Sequence, residues 1–573
     1  MIGKMTKYAF ILLSGDKEAF ISRLQEIGLV DITRSEKPVD ERSAALLQRA
    51  ESHRQVIAHA EAHLADIGRE IAALEKEADA LRPWGAFNPS DTERLEQAGY
   101  KLHFYAVPAK KFRAEWPEQY PIQVIAEKPK VHFVAVLPAG ADNPLPVPEI
   151  PAPLRSYADA EADAGRLRET LKEETAKVEA LRARTEEFEA DTRRDIAALD
   201  AYLATVAANP AAEDTIVTYT GYALSENDAV LKEKLDTLDA YWYAEPAKVE
   251  DAPPISLKNN KFVRMFEVLT DMYGRPAYDG FDPTPFLSIF FLLFFALCMG
   301  DAGYGIILVI LGILLRKAKG LKDMAPLVIT LGIGTVVVGF FLHTFFSMNI
   351  AEWPLFAPVK GIFLPDKIAG YDGAMILALV IGVLHVCLAL IIKTVQATRN
   401  HGFLHSLGTW GWSLFILGGV VVGAFALAGV IDAALTKWIL IGLGSVSALG
   451  IFLFNTPGRN PLINIGSGLW DTYNTATGLL SDVLSYLRLY ALGLAGAMLG
   501  YAFNDLGKMI LGDGTGVGSW IFFILILILG HTLNIAMCVL GAFVHPLRLN
   551  FMEFFKNSGY EGTGRNFRPL TNK

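Results

Sequence analysis

The residues best able to do chemistry lie in apolar surroundings. In "SDVLSYLRLYALGLAGAML", residues 481–499, Arg488 is followed by an uncharged run. A guanidinium cannot shed its charge, and placing one in mid-membrane costs several kcal/mol on insertion scales, so the position reads as functional. At helical spacing one face of this segment carries Asn474, Thr477, Ser481, Ser485 and Arg488, then Leu492, Ala495 and Leu499. The stripe is polar up to the arginine and apolar beyond it, as expected for a water-accessible path ending near the middle of a membrane. Asp482 sits on a neighbouring face as a candidate proton or ion relay. The last apolar segment has a matching stripe, His531, Asn534, Cys538, Gly541, His545 and Arg548, spaced by three and four.

Plainer roles compete for other positions. A lone serine or threonine in a membrane helix serves packing more often than it lines a channel. His343 and His385 stand alone and read as core or interface histidines, and Arg548 lies near a helix end from which its side chain can snorkel. The Asp301 region reads either as a tight turn or as a functional group. Gly493, Gly496, Ala497 and Gly500 form a small-residue surface for close helix contact, internal or with a partner.

Positioning these residues falls to a membrane half beginning near residue 284. The chain has 573 residues, 52% of them hydrophobic, and a positive mean hydropathy. That average joins a charged, helix-forming first half to a train of apolar segments. Runs at about 325–347, 373–394, 406–430 and 435–455 are long enough to cross roughly 30 Å of hydrocarbon, and those at about 466–503 and 518–556 exceed it. The first apolar stretch is either one overlong helix or two short ones broken at "GDAGYG". Lys and Arg collect on the cytoplasmic side of membranes. A hairpin at 300–305 puts "RKAKGLK", "KTVQATRNHG", the Arg459 loop and the basic C-terminus inside, with "ALTK" and "GDGTGVGS" outside. Eight transmembrane helices follow for 284–573, the last two long and carrying the ion path.

Residues 1–283 read as a cytosolic arm. Ile57, Ala60, Leu64, Ile67, Ile71, Leu74, Ala78 and Leu81 alternate steps of three and four, and a second run follows at Leu167, Leu171, Val178, Leu181, Phe188, Ile196, Leu199 and Leu203. These predict an antiparallel coiled coil of 41–82 with 156–208, about 40 residues at about 1.5 Å each reaching roughly 60 Å. Two small α/β lobes close its ends. The proximal one, 1–40 and 212–250, holds the strand "KYAFILLS", a helix from Asp16 to Ile27 stopped by Gly28, and the strands "LVDIT", "TIVTYTGYAL" and "AYWYAE". Ser225 and Asn227 are cap candidates for the helix before the last of these. The distal lobe, 83–155, holds "KLHFYAVPA" and "KVHFVAVLP".

No catalytic site, cofactor site or metal site is expected. The sequence has neither a GxxxxGK[ST] phosphate loop nor a strand-GxGxxG-helix unit. His59 and His63 have metal-pair spacing but no third ligand, and Cys298, Cys387 and Cys538 form no CxxC pair. A net charge of −9 offers nucleic acid no basic footprint. The N-terminus lacks the pattern of a secretory signal, which points to a cytoplasmic first half.

"SYLRLYALGLAGAML", "VHPLRLNFMEFF" and "GDAGYG", behind a split α/β and coiled-coil arm, closely resemble the membrane stator subunit of rotary V/A-type ATPases, subunit a or subunit I. The resemblance implies half-channels for H⁺ or Na⁺ that face a proteolipid ring, with Arg488 as the essential arginine between them and Arg548 as the second. His545 falls where the family has a polar residue three before the second arginine. It also implies peripheral stalk subunits, a central-stalk adaptor on the ring, an ATP-hydrolysing V1 or A1 sector on other chains, and a multi-pass plasma-membrane location with the N-terminal half and C-terminus cytoplasmic. Two departures stand out: "DTYNTATG" offers Asp471 and Asn474 where a glutamate is common, and Leu540 replaces a polar or acidic residue. The alternative is a secondary transporter or channel with a cytosolic sensor arm, which calls for paired broken helices. One Gly-broken segment is apparent and no counterpart. A purely structural anchor leaves Arg488 and both stripes without a role.

Overall fold

A computed structural model describes residues 1–572 other than 86–88, 114, 128–129, 140–144, 319–320, 369, 454–460 and 513–515. Arg459 and parts of two other loops used to orient the segments lie outside the described residues. The chain divides into two compact units.

The first comprises 1–13, 29–32 and 211–569. Its antiparallel sheet has the order β2-β7-β1-β8, from β1 (Met5–Leu13), β2 (Asp31–Ile32), β7 (Ile216–Leu224) and β8 (Tyr241–Pro246). Tyr8, Phe10 and Leu12 of β1 are buried while Ile11 and Leu13 face out, the alternation of a sheet covered on one side. Helix α7 (Asp228–Leu235) follows β7, but neither Ser225 nor Asn227 caps it. The Ser225 hydroxyl pairs with Thr6 Oγ1 at 2.9 Å, so β1 claims that cap candidate, while Asp228 accepts from Thr6 at 2.7 Å and Tyr8 at 2.9 Å. Short helices α8 (Lys261–Arg264) and α9 (Glu267–Tyr273) lead into the apolar region.

There, helices α10 (Thr284–Met299) and α11 (Ala302–Leu315) meet at Gly300, whose φ of 58° suits glycine, so the first stretch is two helices. Next come α12 (Ala325–Phe341), α13 (Gly373–His401), α14 (Leu407–Leu427), α15 (Ala433–Leu453), α16 (Pro461–Ser485), α17 (Leu487–Leu511), α18 (Val517–Arg548) and α19 (Phe555–Ser558). A π-helical stretch, Leu549–Phe554, joins the last two. Among the described residues, five helical stretches are long and apolar enough to cross a membrane: Gly373–His401, Leu404–Leu427, Ala433–Phe452, Ile463–Leu511 and Val517–Ser558. The protein is thus a multi-pass membrane protein, and α10, α11 and α12 are shorter apolar helices. Their core is aromatic, with Phe266, Phe291, Phe294, Tyr304, Tyr486, Phe554 and Phe555 buried.

The second unit comprises 14–28, 33–210 and 570–573. Helix α1 (Lys17–Ile27) ends at Gly28 in the left-handed conformation. The 41-residue α2 (Glu41–Leu81), capped by Asp40 through the Ser43 amide at 2.8 Å, packs along α5 (Tyr157–Ala183) and α6 (Thr185–Val206). The second run, expected as one helix, is divided at Arg184. A lobe of β3 (Tyr100–Val107), β4 (Ile122–Ala126) and β5 (Val131–Pro138), in the order β3-β5-β4, lies between α2 and α5 in sequence with α3 (Pro89–Gln97) and α4 (Trp116–Gln119). Between the long helices Arg168 meets Glu75 at 2.5 Å with its side chain about half exposed, whereas Ile71 is 7% exposed. Exposed ion pairs contribute about 0–1 kcal/mol and a buried Ile→Ala costs about 2–5 kcal/mol. Ile71→Ala is therefore expected to lower the thermal midpoint of the full chain several times more than Arg168→Ala.

Candidate functional site

Arg488 owes its position to a break in the helix it occupies. Helix α16 ends at Ser485 and α17 begins at Leu487, and the junction tightens: the Tyr486 amide donates to Val483 O at 3.1 Å and the Leu489 amide to Tyr486 O at 3.0 Å. The stripe from Asn474 to Arg488, drawn at continuous helical spacing, therefore crosses a tightened turn between Ser485 and Arg488. Nor do the later segments lack breaks, since this junction and the π-helical stretch both interrupt them. Tertiary packing explains the junction. Tyr486 is fully buried, and its ring occupies space that Gly382 leaves open; a Cβ there would meet the ring at 2.5 Å. Its hydroxyl shares a hydrogen bond with His385 Nδ1 at 2.9 Å. The His385 ring in turn lies between Phe290 and Phe554, with centroids at 4.1 and 4.5 Å. His385 is thus a core histidine that ties α13 to the turn beside Arg488.

Several polar atoms of α17, α18 and the π-helical stretch are buried without partners among the described residues. Arg488 Nη1, His545 Nδ1, Asn550 Oδ1 and Glu553 Oε2 are all of this kind. His545 lies within electrostatic reach of Arg488 and Arg548, and Glu553 within reach of Asp482, Arg488 and Arg548. Glu553, 4% exposed, was missed by the spacing argument. The π-helical stretch explains why: its wider turn ends the 3.6-residue register that carries His545 and Arg548. A carboxylate in the apolar run "NFMEFF" was the available signal.

Asp482 is already engaged. It accepts from Asn557 Nδ2 at 2.7 Å and pairs with Lys556 Nζ at 3.4 Å, which fastens α16 to α19. The hydroxyls of Thr477 and Ser485 bond backwards to Tyr473 O at 2.8 Å and Ser481 O at 3.0 Å. Asn474 and Ser481 are exposed.

His531 and Asn534 belong to a separate cluster, about 20 Å from His545 along α18. Asn504 Nδ2 donates to Phe346 O at 2.8 Å, leaving Oδ1 as the acceptor that faces His531 Nε2 at 3.0 Å. In a neutral ring with hydrogen on Nε2, Nδ1 accepts from the Tyr304 hydroxyl at 2.8 Å. The Tyr304 oxygen accepts from Asn534 Nδ2 at 2.8 Å, which also reaches Gly496 O at 2.8 Å. Four side chains from α11, α17 and α18 form one directed chain. His531→Ala removes one partner from Tyr304 and one from Asn504; at roughly 0.6–2 kcal/mol per hydrogen bond in a membrane interior, the heat stability of the solubilised protein is expected to fall by a few degrees, and by less in His531→Gln.

The small-residue surface packs internally. A Cβ on Gly493 would meet Leu297 O at 2.8 Å, and one on Gly496 would meet Cys538 Sγ at 2.6 Å. Asp301 proves to be a turn-former, capping α11 through Gly303 and Tyr304. His343 pairs with Asp366 at 3.3 Å. Among the described residues no group of three or more His, Cys, Asp or Glu is arranged to hold a metal.

Comparison with known proteins adds what the chain is similar to. The model of the V-type ATPase 116kDa subunit family matches residues 207–327 and 472–572, the latter holding every candidate from Asn474 to Arg548. The chain is 31% identical over 357 residues to "A-type ATP synthase subunit I" of Methanocaldococcus jannaschii, covering 57% of this chain and 50% of that one. It is 26% identical over 590 residues to "V-type ATP synthase subunit I" of Chlamydia pneumoniae, covering 87% and 82%. To the protein of that name from Chlamydia trachomatis it is 25% identical, covering 98% and 97%. The chain spans about half the length of the archaeal relatives it matches. The family model and the curated relatives support one and the same family, subunit I of the V/A-type ATPases.

Proposed function

We propose that this chain is the membrane stator subunit of a rotary V/A-type ATPase and forms two ion half-channels against a ring of proteolipid c subunits. The observation that carries the reading is Arg488, a permanent cation fixed at a helix break inside an apolar segment with Nη1 buried and unpartnered among the described residues. A ring carboxylate facing lipid must be neutral, through a proton or a bound Na⁺, because an ionised one is too costly there. Beside a guanidinium the charged form is favoured, so the ion leaves on one side and is regained on the other. The same cation repels an ion attempting a direct leak, which makes rotation the permitted route.

Two features support two half-channels. The Arg488 cluster and the His531 network stand at different depths along α18. A cavity of about 260 Å³, lined by His343, Asp366, Asp372, Tyr490 and Gly493, begins in the loop before α13 and reaches the first turn of α17. It would serve the outer side and the polar face of α16 the inner. The first half would hold peripheral stalk subunits against torque, a central-stalk adaptor would meet the ring, and the V1 or A1 sector would hydrolyse or make ATP, this chain having no catalytic site of its own. The plasma membrane is the proposed location, with the N-terminal half and C-terminus cytoplasmic.

The test is purification of the tagged chain followed by reconstitution into vesicles. A small hydrophobic ring protein and ATPase subunits are expected to co-purify, and added ATP to drive ion uptake. A chain that purifies alone and carries solute without ATP would instead be a secondary transporter.

A further inference from the structure

We propose that the pocket at the His401 end of α13 binds a phospholipid headgroup carrying a primary amine, of the phosphatidylethanolamine type. The site is separate from the ion path and goes beyond the rotary reading. Its cavity, about 260 Å³, lies between residues 276–281, the last turns of α13 and residues 558–561. Each of these segments starts or ends a helix of the membrane half: α10 begins at Thr284, α13 stops at His401 and the Val517–Ser558 stretch stops at Ser558. Three such helix ends around one cavity mark the boundary between hydrocarbon and water, where headgroups lie.

The lining suits both halves of that headgroup. Lys393, Gln396, Asn400 and His401 recur at helical spacing along one face of α13 and offer N–H donors to a phosphate. Lys393 stands about 12 Å inside the helix end, so its hydrocarbon stem runs along apolar surface while its ammonium reaches out to the headgroup. Gly559, with φ of 70°, backs onto that stem: a Cβ there would stand 3.9 Å from Lys393 Cγ. Asp279 and Glu561 line the cavity from the other two segments and can accept from an ammonium. The last carbonyls of α13 add to the preference for a cation. None of these six side chains has a hydrogen bond or ion pair among the described residues, although nearby Lys556 pairs with Asp482 and Arg275 with Asp271. Charges of both signs that share a cavity without pairing are left for a ligand. Basic pockets between membrane helices hold lipid headgroups. The two carboxylates favour an amine over choline, whose methylated nitrogen has no N–H to give them. The floor is preformed: Tyr560 is 6% exposed, donates to Gly274 O at 2.7 Å and meets the Phe281 ring edge-on at 5.7 Å.

The test titrates the purified, delipidated full chain with phosphatidylethanolamine or phosphatidylcholine of matched acyl chains and follows the first molecule bound by native mass spectrometry. The native chain is expected to bind phosphatidylethanolamine about tenfold more tightly, the ratio that one charge-assisted hydrogen bond supplies. Lys393→Ala is expected to weaken both lipids alike, since both carry the phosphate. The double variant Asp279→Ala, Glu561→Ala is expected to keep binding and lose the preference. Equal affinity of the native chain for the two lipids overturns the proposal whether or not the variants can be purified, and so does a preference that survives in both variants. Free phosphoethanolamine is the competing arm: at equal concentration it is expected to leave the lipid in place, and displacement would assign the pocket to a soluble amino-phosphate and overturn the lipid.

Discussion

Arg488→Ala is expected to leave the complex assembled and to reduce ATP-driven ion uptake by at least two orders of magnitude. The size follows from the charge. Two unit charges 4 Å apart interact by about 4 kcal/mol at an effective dielectric constant near 20, equivalent to roughly three orders of magnitude in the balance between an ionised and a neutral ring carboxylate. Without that contribution the ring carboxylate keeps its ion and the release step stalls. Assembly is expected to survive because the break is held by Tyr486, His385 and Phe554 rather than by the guanidinium, whose Nη1 bonds to none of the described residues. Arg488→Lys is expected to recover little, since an ammonium in an apolar site can deprotonate where a guanidinium cannot. Uptake measured beside co-purification of the ring checks both variants.

Asp301→Ala is expected to act on the fold instead, with a loss of assembled protein. One buried carboxylate accepts four backbone amides: Gly303 at 2.8 Å, Tyr304 at 3.2 Å, Phe346 at 2.9 Å and Ser347 at 2.6 Å. The last two residues have φ of 46° and 56°, a left-handed conformation that non-glycine residues rarely adopt without support. An unsatisfied buried donor costs about 1–3 kcal/mol, so orphaning several at once approaches the whole stability of many proteins. The damage extends further, because Tyr304 and Phe346 also belong to the His531 network. Asp301→Asn is expected to be milder, keeping Oδ1 for three of the amides and turning an NH₂ against the Ser347 amide. Membrane-fraction yield and heat stability of the solubilised protein distinguish the two.

Much of this was legible in the sequence because it depends on local rules. Apolar length announced the membrane half, Gly300 and Gly28 marked their helix ends, and strand-like runs marked β1, β2, β3, β5, β7 and β8, while β4 was not read from the sequence. Arg488 stood out because a permanent charge in an apolar run has few structural explanations. What escaped depends on partners distant in sequence. Tyr486 reads as one more aromatic until Gly382 and His385, about a hundred residues earlier, are placed against it. Glu553 escaped because the α-helical register does not continue through a π-helical stretch. Ser225 has the right residue type for a cap, and Thr6 outcompetes the helix for it.

Ala491 and Ala495 lie one and two turns beyond Arg488 and are exposed in this chain. The direct measurement is disulfide cross-linking in the assembled complex, with Ala491→Cys or Ala495→Cys paired against a cysteine beside the ring carboxylate. A complex carrying only the native cysteines serves as control. The rotary account predicts a cross-link between this chain and the ring protein that stops ATP-driven uptake until a reductant restores it. A complex that pumps ions normally yet forms no such cross-link at either position would contradict it.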